Sequence, residues 1–155
     1  MKRILSLAAL VISSCHSVEP SQHPQFDRYG QQIVFQADSG YNHKTGEHGA
    51  FATYVGDVPT VFYNPYWFSS LPKEMQTFFF QHEVAHFRLK HVKKKPYFAS
   101  QKQMILMELQ ADCHSLLYLE NKLHYTPEKF EKIFDFADLY LEEYRVMNLK
   151  NCWEK

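Results

Sequence analysis

The stretch FFFQHEVAHFRLKH, Phe78 to His91, places two histidines four residues apart with a glutamate directly after the first. Its pattern predicts a helix that opens at Pro72, a residue suited to a first helical position, and runs to about His91. Lys93-Lys94-Lys95-Pro96 then stops it. On such a helix His82 and His86 share one face, one turn apart. Both can aim a ring nitrogen at a single cation, at about 2.0–2.1 Å for zinc. Glu83 is rotated by about 100° from His82, so it does not complete the same set of ligands but lies close enough to reach a water on the metal. Two neutral nitrogens then hold the ion while the neighbouring carboxylate takes a proton. The chain carries 9 His, and shuffling would produce H-E-x-x-H in about 4% of such chains. The surroundings of the motif therefore decide its meaning.

A catalytic metal site needs a third protein ligand. His91 lies five after His86, so on a continuous helix it projects elsewhere. A metzincin arrangement needs Gly at position 88 and His at 92, where this chain has Arg88 and Val92. The remaining candidates fall in Met107-Glu108-Leu109-Gln110-Ala111-Asp112-Cys113-His114. Glu108 and Asp112 are again four apart and share a face. One carboxylate can bind the metal while the other accepts the second N–H of a ligand histidine. The run Met104 to Leu117 is otherwise apolar on several faces, which predicts a buried helix, and a buried carboxylate needs a partner or a metal.

Around these motifs the chain reads as a small β region followed by three helices. Gln31–Ala37, Gly49–Val55 and Val58–Tyr63 have strand composition, and Gly56-Asp57 suits a tight turn between the last two. Pro59 lacks a backbone donor, which predicts that the third strand is an edge. Asp38 to His48 reads as loop, and Asn64-Pro65 ends the β region. Ser100 with Gln103 forms a capping-box pattern that opens a second helix to about Lys122. Thr126-Pro127 starts a third, running to about Met147 with a stripe of Phe130, Ile133, Phe134, Ala137, Tyr140, Leu141 and Tyr144. Phe78-Phe79-Phe80 reads as core and pocket wall, and the basic cluster of Arg88, Lys90 and Lys93 to Lys95 as a solvated helix end. The expected class is α+β: a small antiparallel or mixed sheet, then an active-site helix, a glutamate helix and a C-terminal helix. If that third helix is unbroken, Cys152 overshoots Cys113 by more than the intervening chain can recover, which argues against a disulfide.

Met1-Lys2-Arg3 and the apolar run Ile4 to Ile12 have the shape of an export signal, too short to span a bilayer. Ile12-Ser13-Ser14-Cys15 resembles the lipobox of bacterial lipoproteins, which implies lipidation at Cys15. The expected organisation is a signal peptide at 1–14, a tether at 15–26 and one domain at 27–155. The predicted location is the bacterial cell envelope, anchored by lipid on the periplasmic face or outer membrane. His16, His23, His43 and His48 fall in tether or loop. Lys+Arg and Asp+Glu both number 17. That zero balance predicts no nucleic-acid partner.

H-E-x-x-H followed by E-x-x-A-D on a later helix resembles the gluzincin metallopeptidases, above all the HtpX-like and CAAX-prenyl-protease-like group. ELQADC, Glu108 to Cys113, is similar to a segment of neutral zinc metallopeptidases. GAFAT, Gly49 to Thr53, is similar to the N-A-F-A stretch that precedes their edge strand, with Gly49 in place of Asn. His91 matches a recurrent histidine after the motif. The resemblance covers roughly Gly49 to Leu117 and implies a zincin-like fold with one Zn2+ per chain held by His82, His86 and Glu108. It implies Glu83 as general base and Asp112 as the residue behind a ligand histidine. The His-Pro element of the HtpX-like group has only His124-Tyr125-Thr126-Pro127 as a counterpart, which leaves the oxyanion-stabilising group unassigned.

The expected function is a zinc-dependent endopeptidase acting on peptides or unfolded proteins, bound along the edge strand near Val58 to Tyr63 as an added strand. The alternatives are a catalytically inactive zinc-binding lipoprotein that serves as a binding or metal-handling module, and a helical lipoprotein with no metal at all.

Overall fold

The computed structural model describes residues 24–38, 49–93 and 99–154. The signal and lipobox reading with Cys15, most of the tether, the loop histidines and Lys94 to Pro96 lie outside the described residues. At the end of the expected tether Gln25 packs on the domain, and Phe26 meets it through its backbone, bridging Gln32 and accepting from Arg88 Nε. Gln25 is buried and its Oε1 accepts from Arg88 Nη2 at 3.0 Å.

The fold is α+β. Strands β1 (Val34–Ala37), β2 (Ala50–Val55) and β3 (Val58–Tyr63) precede helices α1 (Pro65–Ser70), α2 (Lys73–Arg88), α3 (Gln101–Asn121), α4 (Pro127–Tyr140) and α5 (Glu143–Trp153). The sheet order is β1-β3-β2, with β1 parallel and β2 antiparallel to β3. The strand expected at the edge, β3, is therefore central. Pro59 is tolerated there because it pairs with Tyr54 of β2 and lies one residue outside the β1 register, which starts at Thr60. Its missing N–H removes no bond from that ladder. The Gly56-Asp57 turn joins β2 to β3 with Gly56 at φ +60°, a left-handed conformation that glycine adopts at little cost.

Asn64-Pro65 does more than end the sheet. The Asn64 side chain accepts from the backbone N–H groups of Tyr66 and Trp67 at 2.9 and 3.1 Å, and Pro65 occupies the first turn. That cap opens α1, whose signal was an N-cap residue followed by proline. Phe68 on α1 stacks on Phe80 of α2 with centroids 4.4 Å apart. Phe80 in turn meets Phe35 and Tyr63 of the sheet edge to face. These rings weld α1 and α2 to the sheet, and Phe78 is fully buried. Phe78 and Phe80 are core residues, and the partly buried Phe79 packs against that core and on Trp67; none of the three lines the cleft beside His86.

Helix α2 contacts β2, β3, α3 and α4. It ends at Leu89, earlier than expected, because Lys90 turns left-handed at φ +65°. Arg88 is not solvated either: besides Gln25 it lies 5.0 Å over the Tyr118 ring. The capping box forms as expected, with Ser100 and Gln103 each bonding the other's backbone N–H. Helix α3 is less buried than its composition suggests. Met104, Ile105, Leu106 and Leu117 are exposed, while Ala111, Asp112, Ser115, Leu116 and Leu119 face inward.

The expected third helix is two. The chain becomes extended at Leu141 and Glu142, and α5 turns onto α3 and α4. The break buries Arg145, Val146 and Leu149, whereas Tyr140 and Tyr144 of the expected stripe are exposed. It also brings the cysteines together: Cys113 and Cys152 form a disulfide with Cα atoms 5.6 Å apart. The expectation that they stay apart fails because it assumed one unbroken helix.

Candidate metal centre

His82 and His86 project from one face of α2, one helical turn apart, and Glu108 reaches them from α3. His82 Nε2 lies 3.1 Å from His86 Nε2 and 3.1 Å from Glu108 Oε2. His86 Nε2 lies 3.5 Å from Glu108 Oε1. Four tetrahedral ligands around an ion with bonds near 2 Å stand about 3.3 Å apart, so the two ring nitrogens and the carboxylate already stand close to the spacing of a metal site. Their chemistry points the same way. The Nδ1 of His82 donates to Asp112 Oδ1 at 2.8 Å, which leaves Nε2 bare in the neutral ring. A bare nitrogen, a second imidazole and a carboxylate then converge on one point, an arrangement that favours a cation or a proton between them. His82 is pushed up to about 10: burial opposes this, but hydrogen bonds to Asp112 and Glu108 outweigh it. His86 is held down at about 3 by burial and by the charge on His82. Glu108 falls to about 2, burial again being outweighed by its bond to His82.

Asp112 is held in turn. It is wholly buried and receives two bonds from Arg145 of α5, Nε to Oδ2 at 2.9 Å and Nη2 to Oδ1 at 2.7 Å. The remaining guanidinium nitrogen, Nη1, stands 3.9 Å from Glu108 Oε2. Asp112 titrates below its ordinary range because the bonds to His82 and Arg145 outweigh its burial. The sequence reading passed over Arg145, since a lone arginine on a predicted amphipathic helix carries no signal of its own. Asp112 is the buried carboxylate that needs a partner, whereas the Glu108 side chain is 36% exposed at the mouth of the site.

His91 does not project away from the centre. The turn at Lys90 swings it back, so that its Nδ1 lies 3.0 Å from His86 Nδ1 and its Nε2 lies 3.0 Å from Gln110 Oε1. Its exclusion as a third ligand rested on a continuous helix that the structure does not have. It stands behind His86 rather than in the cluster of converging donors. Burial lowers its pKa.

A cleft of about 240 Å3 opens over the cluster, bounded by Ala50 and Ala52 of β2, Glu83 and His86 of α2, and Met104 and Met107 of α3. Strand β2 pairs only with β3 among the described strands, and Ala50, Phe51 and Ala52 bring it to the wall of this cleft. Burial raises Glu83 to about 7 against the pull of His82, and the backbone N–H of Ala52 donates to its carboxylate. A carboxyl held near neutrality beside the candidate ligands suits proton transfer. His124 is exposed in the turn between α3 and α4, and it is not among the residues that line the cleft.

A family model described as "Putative metallopeptidase domain" matches residues 40–134. That span contains His82, Glu83, His86, Glu108 and Asp112 and stops short of Arg145 and Cys152. Comparison with curated proteins returns no match, nor does comparison with solved structures.

Proposed function

The chain belongs to this metallopeptidase-domain family, and from that premise we propose that it is a zinc-dependent endopeptidase of the gluzincin type. The observation that carries the reading is the convergence of His82, His86 and Glu108 in a cleft that also holds Glu83. In this reading the three residues ligate one zinc and Asp112 orients His82. Bound zinc supplies Lewis acidity, polarising a carbonyl and acidifying water. An extended peptide lies across the cleft along the outer side of β2, not along β3. Glu83 takes a proton from the attacking water and delivers it to the leaving amine. Met104, Met107, Ala50 and Ala52 offer apolar contact to the peptide's side chains.

The resemblance to HtpX-like enzymes and the lipobox pattern extend the proposal. Residues 1–14 act as a signal peptide, Cys15 carries the lipid, and the domain works in the cell envelope on peptides or unfolded proteins. The test is a set of three measurements. Wild type should bind about one zinc per chain, and His86→Ala and Glu108→Ala should lose it. Glu83→Gln should keep the zinc and lose chelator-sensitive cleavage of an unfolded protein. Full cleavage by Glu83→Gln rejects the mechanism.

A second reading, zinc binding without hydrolysis, draws on the lining of the cleft. Among the described residues it includes no phenol, carboxamide or guanidinium group to face an oxyanion. Absence of chelator-sensitive cleavage in a zinc-loaded protein would favour it.

A further inference from the structure

We propose that His91 and Gln110 form a hydrogen-bond relay that sets which nitrogen of His86 carries the proton, and thereby hold His86 ready to bind metal through Nε2. The inference rests on the metal-site reading above and adds two positioning residues to it.

His86 presents Nε2 to His82 and Glu108, and a metal ligand must offer a lone pair there. A neutral imidazole has a single N–H, so the proton must sit on Nδ1. That atom is 3.0 Å from His91 Nδ1, and between two ring nitrogens only one can donate. The direction is set at the far end of the chain of bonds. His91 Nε2 lies 3.0 Å from Gln110 Oε1, a carbonyl oxygen that only accepts. His91 therefore donates from Nε2, its Nδ1 is bare, and His86 donates to it. The sequence of bonds is His86 Nδ1–H to His91 Nδ1, then His91 Nε2–H to Gln110 Oε1.

The alternative has the Gln110 amide turned over, a choice that hydrogen-bond partners rather than atomic positions decide. Its NH2 would then donate to His91 Nε2. His91 would donate from Nδ1 to His86 Nδ1, and the proton of His86 would move to Nε2, where it blocks the metal. One amide orientation is thus compatible with a ligand at His86 and the other is not.

The two ligand rings are oriented by different means. His82 faces a carboxylate that can only accept, held by Arg145. His86 relies on a neutral ring and on an amide at the surface, where Gln110 is exposed. The left-handed Lys90 is what makes the relay possible, because without that reversal His91 would continue along the helix.

The test uses apo protein and Zn2+ alone, with affinity read by competition against a chromophoric chelator. His91→Ala should weaken zinc binding by about 10- to 100-fold. Gln110→Met, at an exposed position where the fold is not at risk, should weaken it in the same direction by less. Nitrogen-15 shifts of the zinc-loaded wild type should show His91 protonated on Nε2 and His86 on Nδ1. Finding His91 protonated on Nδ1 would overturn the relay, as would zinc affinities of both variants equal to wild type. If wild type itself takes up no zinc, the metal-site reading falls and the relay with it; if wild type binds and the variants match it, only the relay falls.

Discussion

Arg145 grips Asp112 through two hydrogen bonds of 2.9 and 2.7 Å, and the same carboxylate accepts a hydrogen bond from His82 Nδ1. Arg145, 33 positions from Asp112 in sequence, thus stands behind the partner of the candidate ligand His82, and both members of the ion pair are buried. Breaking a buried ion pair from one side leaves the other charge uncompensated, which costs about 3–5 kcal/mol. Arg145→Met should lower unfolding stability by that amount, measured with urea. It should also weaken zinc binding, because His82 loses a fixed partner. A change under about 1 kcal/mol would mean that the pair is solvated in solution.

The Cys113–Cys152 disulfide spans a sequence separation of 39 and ties α3 to α5, the two helices that carry Asp112 and Arg145. Closing a loop of that length removes unfolded-state entropy worth about 4 kcal/mol in the chain model, with about 2–4 kcal/mol typical in practice. Cys152→Ser should lose stability in that range, and unreduced wild type should show neither thiol to an alkylating reagent before reduction. Prompt labelling of Cys113 in the folded, unreduced protein would refute the pairing.

Glu83 is raised to about 7, chiefly by burial, with His82 opposing. A carboxyl that binds its proton more tightly folded than unfolded disfavours the fold as pH rises from its unfolded value towards 7, and the full penalty applies above that. In chelator-treated protein, Glu83→Gln should therefore gain stability over wild type between pH 5 and pH 8. The gain should be on the order of 3 kcal/mol. Urea midpoints at the two pH values test this, and an equal difference at both would contradict the buried position of the carboxyl.

Gly49 backs directly onto the Trp67 indole, and a Cβ built there would fall within the ring. The family-like stretch carries Asn where this chain has Gly49. Gly49→Asn should not improve the match but lose about 1–3 kcal/mol through overpacking. Thermal unfolding would show it, and pairing Gly49→Asn with Trp67→Ala should recover part of the loss.

How much of this was legible beforehand depended on how local each feature is. His82 with His86, and Glu108 with Asp112, lie within single helices, so their shared faces follow from the helical repeat alone. The capping box at Ser100 and the turn at Gly56 are equally local. The cap at Asn64 was also legible, but it was read only as the end of a strand. Composition misled where it stood in for packing: the apolar run from Met104 suggested a buried helix, yet its first turns are exposed.

What the amino-acid sequence by itself determined is the chemistry offered on each helix: an imidazole pair with a glutamate on one, a carboxylate pair on the other. What only the tertiary structure decided is how those helices meet and what stands behind them. The central place of β3, the reversal at Lys90, the break at Leu141 and Glu142, the grip of Arg145 and the disulfide all belong to that second group. The sheet order, the helix break, the Arg145 grip and the disulfide involve residues far apart in the chain, and the break at Leu141 and Glu142 accompanies the burial of Val146 and Leu149. No short window of sequence contains both sides of such a contact.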